Sequence, residues 1–271
     1  MIHSTVIKNN RSDQFERIVW LLVAVEWGAI NISGISLSIF HGARLFEFGI
    51  DPVYWIFFKT GIPDLITQTS GLGMILSMLT FIGLVYGIVN PQNRINAGFV
   101  FFLLCVHYLM ITSYMGHRNF QFGFCWTILP FLFKPESRKF TWEALRYWVL
   151  IFYATAGLYK LNNFQLISTD YLAHLLDNQW MIYRLEASND FRLLIIHNLL
   201  QNPNIIFYLF WTACMLELFC LIGLITHLFD RYIGWLLILL HVGIWMIWDI
   251  APIGQLSVLI VVFLITPRNK S

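Results

Sequence analysis

The sequence predicts an all-α polytopic membrane protein with about eight transmembrane helices and both termini cytoplasmic. Three observations carry this. The chain is 58% hydrophobic and only 12% charged, against about 25% charged residues in soluble domains. Several apolar runs exceed the roughly 18 residues that mark a membrane span. Basic residues also fall unequally on the two sides of the loops those spans define. A β-barrel would show short alternating segments instead. The net charge of +2 is too small to argue for nucleic acid.

The elements follow in order. Residues 1–15 read as a polar N-terminal tail. The apolar run after them is too long for a signal-peptide core and no small-residue cleavage site follows it, so it reads as a retained helix. Spans are expected at about 17–40, 71–89, 96–115, 119–133, 142–161, 204–226, 232–249 and 251–266. The fourth is short and carries Pro130, which suggests a kinked or re-entrant segment. The eighth is also short and has Pro252 in its first turn. With the N-terminus inside, eleven Lys and Arg face the cytoplasm and six face outward, and Lys134-Pro-Glu-Ser-Arg-Lys139 forms an inner-loop signature. The whole of 1–271 then reads as a single transmembrane domain, of bacterial inner-membrane type.

Two long loops, 41–70 and 162–203, fall outside. In the second, Leu172, Leu176 and Trp180 repeat at helical spacing, as do Phe191, Ile195 and Leu199, with Leu175 and Leu194 widening the stripes. This predicts two amphipathic helices, with Ser188, Asn189 or Asp190 capping the second and Pro203 opening the next span. Such helices either lie on the membrane surface or form a lid over an outward-facing cavity. The cysteines Cys105, Cys125, Cys214 and Cys220 all sit in apolar runs without metal-ligand spacing, and they read as free buried thiols. No metal is predicted.

Ionisable residues inside a bilayer are costly, so each is a candidate functional group. Glu26 and Glu217 lie at mid-span, on the order of 15 Å from the inner end of their helices, and His107 and His241 lie roughly 12 Å below the outer surface. His117 begins the fourth span, while Lys160 and Asp249 end the fifth and seventh. Each has a plain structural alternative: a snorkelling lysine, histidines bonding across helices, carboxylates tied to a neighbouring helix, a solvated end residue. Position alone favours the snorkelling anchor for Lys160.

The stretch Tyr153-Ala-Thr-Ala-Gly-Leu-Tyr-Lys-Leu-Asn-Asn163 changes that balance. It resembles the aromatic-x-x-Ala-Gly-x-x-Lys-Leu-Asp/Asn segment of the vitamin K-dependent gamma-glutamyl carboxylase family, whose membrane module is the horizontally transferred transmembrane domain (HTTM). Gly116-His117-Arg118-Asn119-Phe120 is similar to that family's histidine-containing outer segment, and Met215-Leu-Glu217-Leu-Phe to its glutamate-bearing helix. The likeness extends over roughly 15–265, with the lysine segment its distinctive part.

The resemblance implies an enzyme of carboxylase or quinol-oxygenase type, a lyase in the family's own case, working on a reduced quinone of the vitamin K type. Lys160 would be the weak base that deprotonates the quinol, and His117 the assisting histidine. Tyr153, Gly157, His107, His241, Asn162 and Asn163 would line the substrate site, with Glu217 and Glu26 in structural or proton-relay roles. Burial favours a neutral amine able to act as a base, and the two asparagines can bond a substrate oxygen without adding negative charge. A lipid-soluble substrate can enter sideways between aromatic-rich helices. The chain ends at Ser271 after its last expected span, so membrane lipids are its immediate partners and a partner protein would supply any soluble domain. Two further readings stand beside this one: a non-catalytic subunit scaffolding an envelope, secretion or redox complex, and a transporter relaying protons through Glu26, Glu217, His107 and His241.

Overall fold

A computed structural model describes residues 2–32, 36–45, 52–115, 123–163, 167–185, 189–250 and 254–266. All regular elements among them are helical. They are α1 (Ile2–Ile32), α2 (Pro52–Lys59), α3 (Ile62–Gln68), α4 (Leu72–Val89), α5 (Arg94–Met115), α6 (Gly123–Ile128), α7 (Pro135–Asn162), α8 (Thr169–Leu185), α9 (Arg192–Gln201), α10 (Pro203–Ile225), α11 (Asp230–Trp248) and α12 (Leu256–Leu259). Four helical stretches are long and apolar enough to cross a membrane: Leu72–Val89, Arg94–Tyr114, Pro203–Ile225 and Asp230–Trp248.

The other expected spans take different forms. α1 and α7 have the length, at 31 and 28 residues, but carry charged side chains along their course. Residues 123–132 form a short helix that tightens into a 3-10 turn at Leu129–Leu132, where Pro130 withholds its amide. Residues 256–265 begin as α12 and widen into a π-helical turn over Ile260–Ile265.

The chain divides into two compact units. The first contains residues 1–143, 253–261 and 265–271; the second contains 144–252 and 262–264. The sequence shows no such division, because no linker composition marks the boundary inside α7.

In the first unit α1 packs along α4, and the Trp20 ring lies directly against Gly87, where any Cβ would overlap it. Small residues let membrane helices approach closely in this way. Asn96 Nδ2 donates to the Gly83 carbonyl at 2.9 Å, linking α5 to α4. Buried Glu16 and Arg138 pair and are joined by exposed Gln92: Arg138 Nη1 donates to Glu16 Oε1 at 2.7 Å and to Gln92 Oε1 at 2.9 Å.

In the second unit α8 and α9 pack against α10 and α11. Leu172, Leu176 and Trp180 are buried along α8, as the first amphipathic stripe predicts. The second stripe keeps Leu199, but its first two positions are displaced by one residue. Arg192, Ile196 and Leu199 form the buried face of α9, while Phe191 is 63% exposed and Leu194 69%. Leu175 also stays outside the core. The displacement has a physical cause, since Arg192 is drawn inward by partners that hydropathy does not count. The expected caps are met where they are described: Arg192 N donates to Asp190 Oδ1 at 2.9 Å, and Pro203 opens α10. Ser188 and Pro252 lie outside the described residues.

Candidate functional site

Gly157 sets the geometry of the candidate site. A Cβ there would sit 3.0 Å from Leu218 Cγ and 3.1 Å from Glu217 Cβ, so only the missing side chain lets α7 and α10 run this close. Cys214 Sγ reinforces the crossing by donating to the Gly157 carbonyl at 3.4 Å. Tyr153, Gly157 and Lys160 share one face of α7 by their i, i+4, i+7 spacing. Phe210, Cys214 and Glu217 share the opposing face of α10 by the same rule.

Across this crossing Lys160 Nζ meets Glu217 Oε1 at 2.5 Å, with side chains 29% and 6% exposed. The Lys160 ammonium also lies over the Phe210 ring, 5.9 Å from its centroid. Glu217 Oε2 is sealed from solvent and accepts no hydrogen bond among the described residues. One turn back along α7 from Gly157, the Tyr153 hydroxyl pairs with His241 Nε2 on α11, and their rings meet edge to face.

This corrects one expectation. Sequence reading surrounded Lys160 with neutral asparagines and no counter-charge; the structure places the Glu217 carboxylate directly on it. Asn162 is exposed and Asn163 donates locally to the Tyr159 carbonyl at 2.8 Å. Lys160 stands in the last turn of α7 and faces the interior of α10. Gly157 meets α10 about four turns, on the order of 20 Å, in from Pro203. The first part of α10 therefore continues well past the end of α7. Along that extension Ile206, Phe207 and Phe210 join the core under α8.

A second constellation holds α8 and α9 to the end of α11. The Arg192 guanidinium lies between the rings of Trp180 and Trp245, 4.8 and 5.3 Å from their centroids. It pairs with Asp190 and Asp249, each at 2.5 Å. Asp249 has φ +53°, the left-handed conformation of a C-cap, and also accepts from the Tyr183 hydroxyl at 2.5 Å. Trp180 Nε1 donates to the Ile247 carbonyl at 2.7 Å. The guanidinium holds Asp190 below the usual carboxylate range, and donation to Asp249 raises the Tyr183 phenol above its ordinary value. Sequence reading took Asp249 for a solvated end residue and missed this clasp. The signal available was that Arg192 is the sole Asp, Glu, Lys or Arg in α9.

Two further candidates, Glu26 and His107, belong to the first unit. Glu26, in the first unit, accepts from the backbone N–H groups of Gly254 at 2.7 Å, Leu256 at 2.9 Å and Ser257 at 3.3 Å. Its carboxylate caps the start of α12. His107, also in the first unit, is fully buried and edge-on to Trp27, with ring centroids 4.2 Å apart. His117 lies outside the described residues. Within the second unit the described residues thus bring together Lys160–Glu217 and Tyr153–His241. Comparisons with protein-family models, with curated proteins and with solved structures find no match to this chain.

Proposed function

We propose that this chain is a multi-pass membrane protein of the HTTM type that performs acid–base chemistry on a lipophilic hydroxyl-bearing substrate, such as a reduced quinone, at Lys160. The observation that carries this reading is the half-satisfied ion pair: Lys160 bonded to Glu217 at 2.5 Å, with Glu217 Oε2 buried and unmet. A pair kept only for packing would have its lone pairs filled. The 29% exposure of Lys160 supplies an approach. Because the pair lies well inside α10, a helix long and apolar enough to cross a membrane, that approach suits a molecule arriving from the bilayer. The resemblance of Tyr153–Asn163 to the carboxylase segment points the same way.

The topology belongs to this proposal. We assign eight membrane passes with both termini cytoplasmic, the Lys160 site opening toward the outer half of a bacterial inner membrane, and α8 and α9 forming its outer cap. Single cysteines at Ser168 and Ser137, introduced after replacing the native four, should react with an impermeant thiol reagent from opposite sides. Same-side labelling would remove the orientation and the outward-facing site with it.

The chemistry is tested in the full chain, reconstituted in lipid nanodiscs with a long-chain naphthoquinol and oxygen. Wild-type protein should accelerate quinol oxidation, and Lys160→Ala should lower the rate roughly 100-fold or more, the scale of a lost acid–base group. Unchanged turnover in a folded, monodisperse Lys160→Ala protein would refute the assignment.

A further inference from the structure

Two carboxylates in the second unit pair with basic residues of α7, and they are treated differently by their surroundings. Both oxygens of Asp230 accept from the Arg146 guanidinium, at 2.8 and 2.9 Å. Glu217 gives one oxygen to Lys160 and has none of the described donors on the other. A buried acceptor left empty is costly, and the cost is removed by an occupant that brings a donor or a proton. The ammonium beside it is 29% exposed and faced by the Phe210 ring. A molecule reaching that spot meets a cation flanked by an aromatic ring and a carboxylate.

We propose that Glu217, not Lys160, accepts the proton of the hydroxyl substrate, and that Lys160 holds the oxyanion left behind. The proposal rests on the reading of Lys160 as an acid–base site and assigns the two halves of that site. The substrate O–H bond breaks, its proton forms a new O–H bond on the Glu217 carboxylate, and the bonding electron pair stays on the substrate oxygen. Before the step the ammonium faces a carboxylate; after it, the ammonium faces the substrate oxyanion, with a neutral carboxyl alongside. The number of buried charges does not change, so no uncompensated charge appears in the interior. The terminal torsion of a glutamate is broad and two-fold, so Oε1 and Oε2 exchange places readily once the substrate contacts Nζ.

Charge exchange also selects the substrate. The oxyanion must be stable enough to stand in for a carboxylate beside the same ammonium, which favours a phenol or hydroquinone over an aliphatic alcohol. Tyr153, hydrogen-bonded to His241 one turn from Gly157, is the next acid–base pair along this face and marks the direction in which the proton leaves Glu217.

The test uses the full chain in nanodiscs and a long-chain alkyl nitrophenol, coloured only as the phenolate, at a pH where the free probe stays protonated. Wild type should bind it saturably with the phenolate band. Glu217→Gln should bind with affinity within about three-fold and lose the band by roughly ten-fold or more, whereas Lys160→Gln should weaken binding roughly ten-fold, the scale of a lost charge-assisted hydrogen bond. Glu217→Asp, whose carboxylate is drawn back by one methylene, should show a reduced band. It decides the matter if Glu217→Gln does not fold: a band equal to that of wild type overturns the proposal. A full phenolate band in folded Glu217→Gln makes Lys160 or another group the base, overturning the proposal while leaving the site reading in place. No saturable binding to wild type removes both.

Discussion

The two buried ion pairs that join α7 to the rest of the second unit make opposite use of the same materials. Near the middle of α7, Arg146 grips Asp230 with a two-pronged contact, and its Nη2 also reaches the carbonyls of Gly223 and, at 3.2 Å, Thr226. The two side chains are 4% and 0% exposed. His227 Nδ1 lies 3.3 Å from Asp230 Oδ2 as a further neighbour. Near the end of α7, Lys160 and Glu217 share one contact, the lysine is partly open, and a carboxylate oxygen has no described partner. Both pairs sit beside a glycine of close approach, Gly223 in the first case and Gly157 in the second. The difference lies in how completely the charges are satisfied. The planar guanidinium with its five donors can fill every acceptor around it, while an ammonium on a flexible stem leaves room for another molecule.

That contrast predicts unequal responses to substitution. The largest effect is expected at the closed pair. Arg146→Met leaves Asp230 buried without its counter-charge and should destabilise the protein by about 3–5 kcal/mol, the usual result of breaking such a pair from one side. Denaturant unfolding in detergent micelles measures it; a loss under about 1 kcal/mol would erase the distinction between the pairs. The smaller effect is expected at the open pair. Glu217→Gln keeps an acceptor facing Lys160 and leaves no carboxylate charge behind, while the lysine retains access to water. Its stability should stay within about 1 kcal/mol of wild type. If Glu217→Gln instead costs as much as Arg146→Met, the pair is structural and the case for its chemistry weakens.

Much of the framework was legible in advance because hydropathy over a long window is a one-dimensional property. α4, α5, α10 and α11 match their expected spans to within three residues at each end, and Pro203 marks the opening of α10. The buried stripe of α8 was legible too, since Leu172, Leu176 and Trp180 repeat at the helical period. The stripe of α9 was misjudged because a periodicity count scores arginine as polar. Arg192 is buried through two aromatic faces and two carboxylates, of which only Asp190 is close in sequence.

Lys160 shows most plainly where the two kinds of information part. By itself the sequence determined that one basic residue ends an apolar helix on the face of Tyr153 and Gly157, since both facts follow from composition and a 3.6-residue period. Only the tertiary structure decided what that lysine meets. Gly157 lets α10 approach at Glu217, about four turns in from Pro203, bringing together a lysine and a carboxylate 57 residues apart in sequence. No local pattern encodes that pairing, because it depends on which helix packs against which, and at what height.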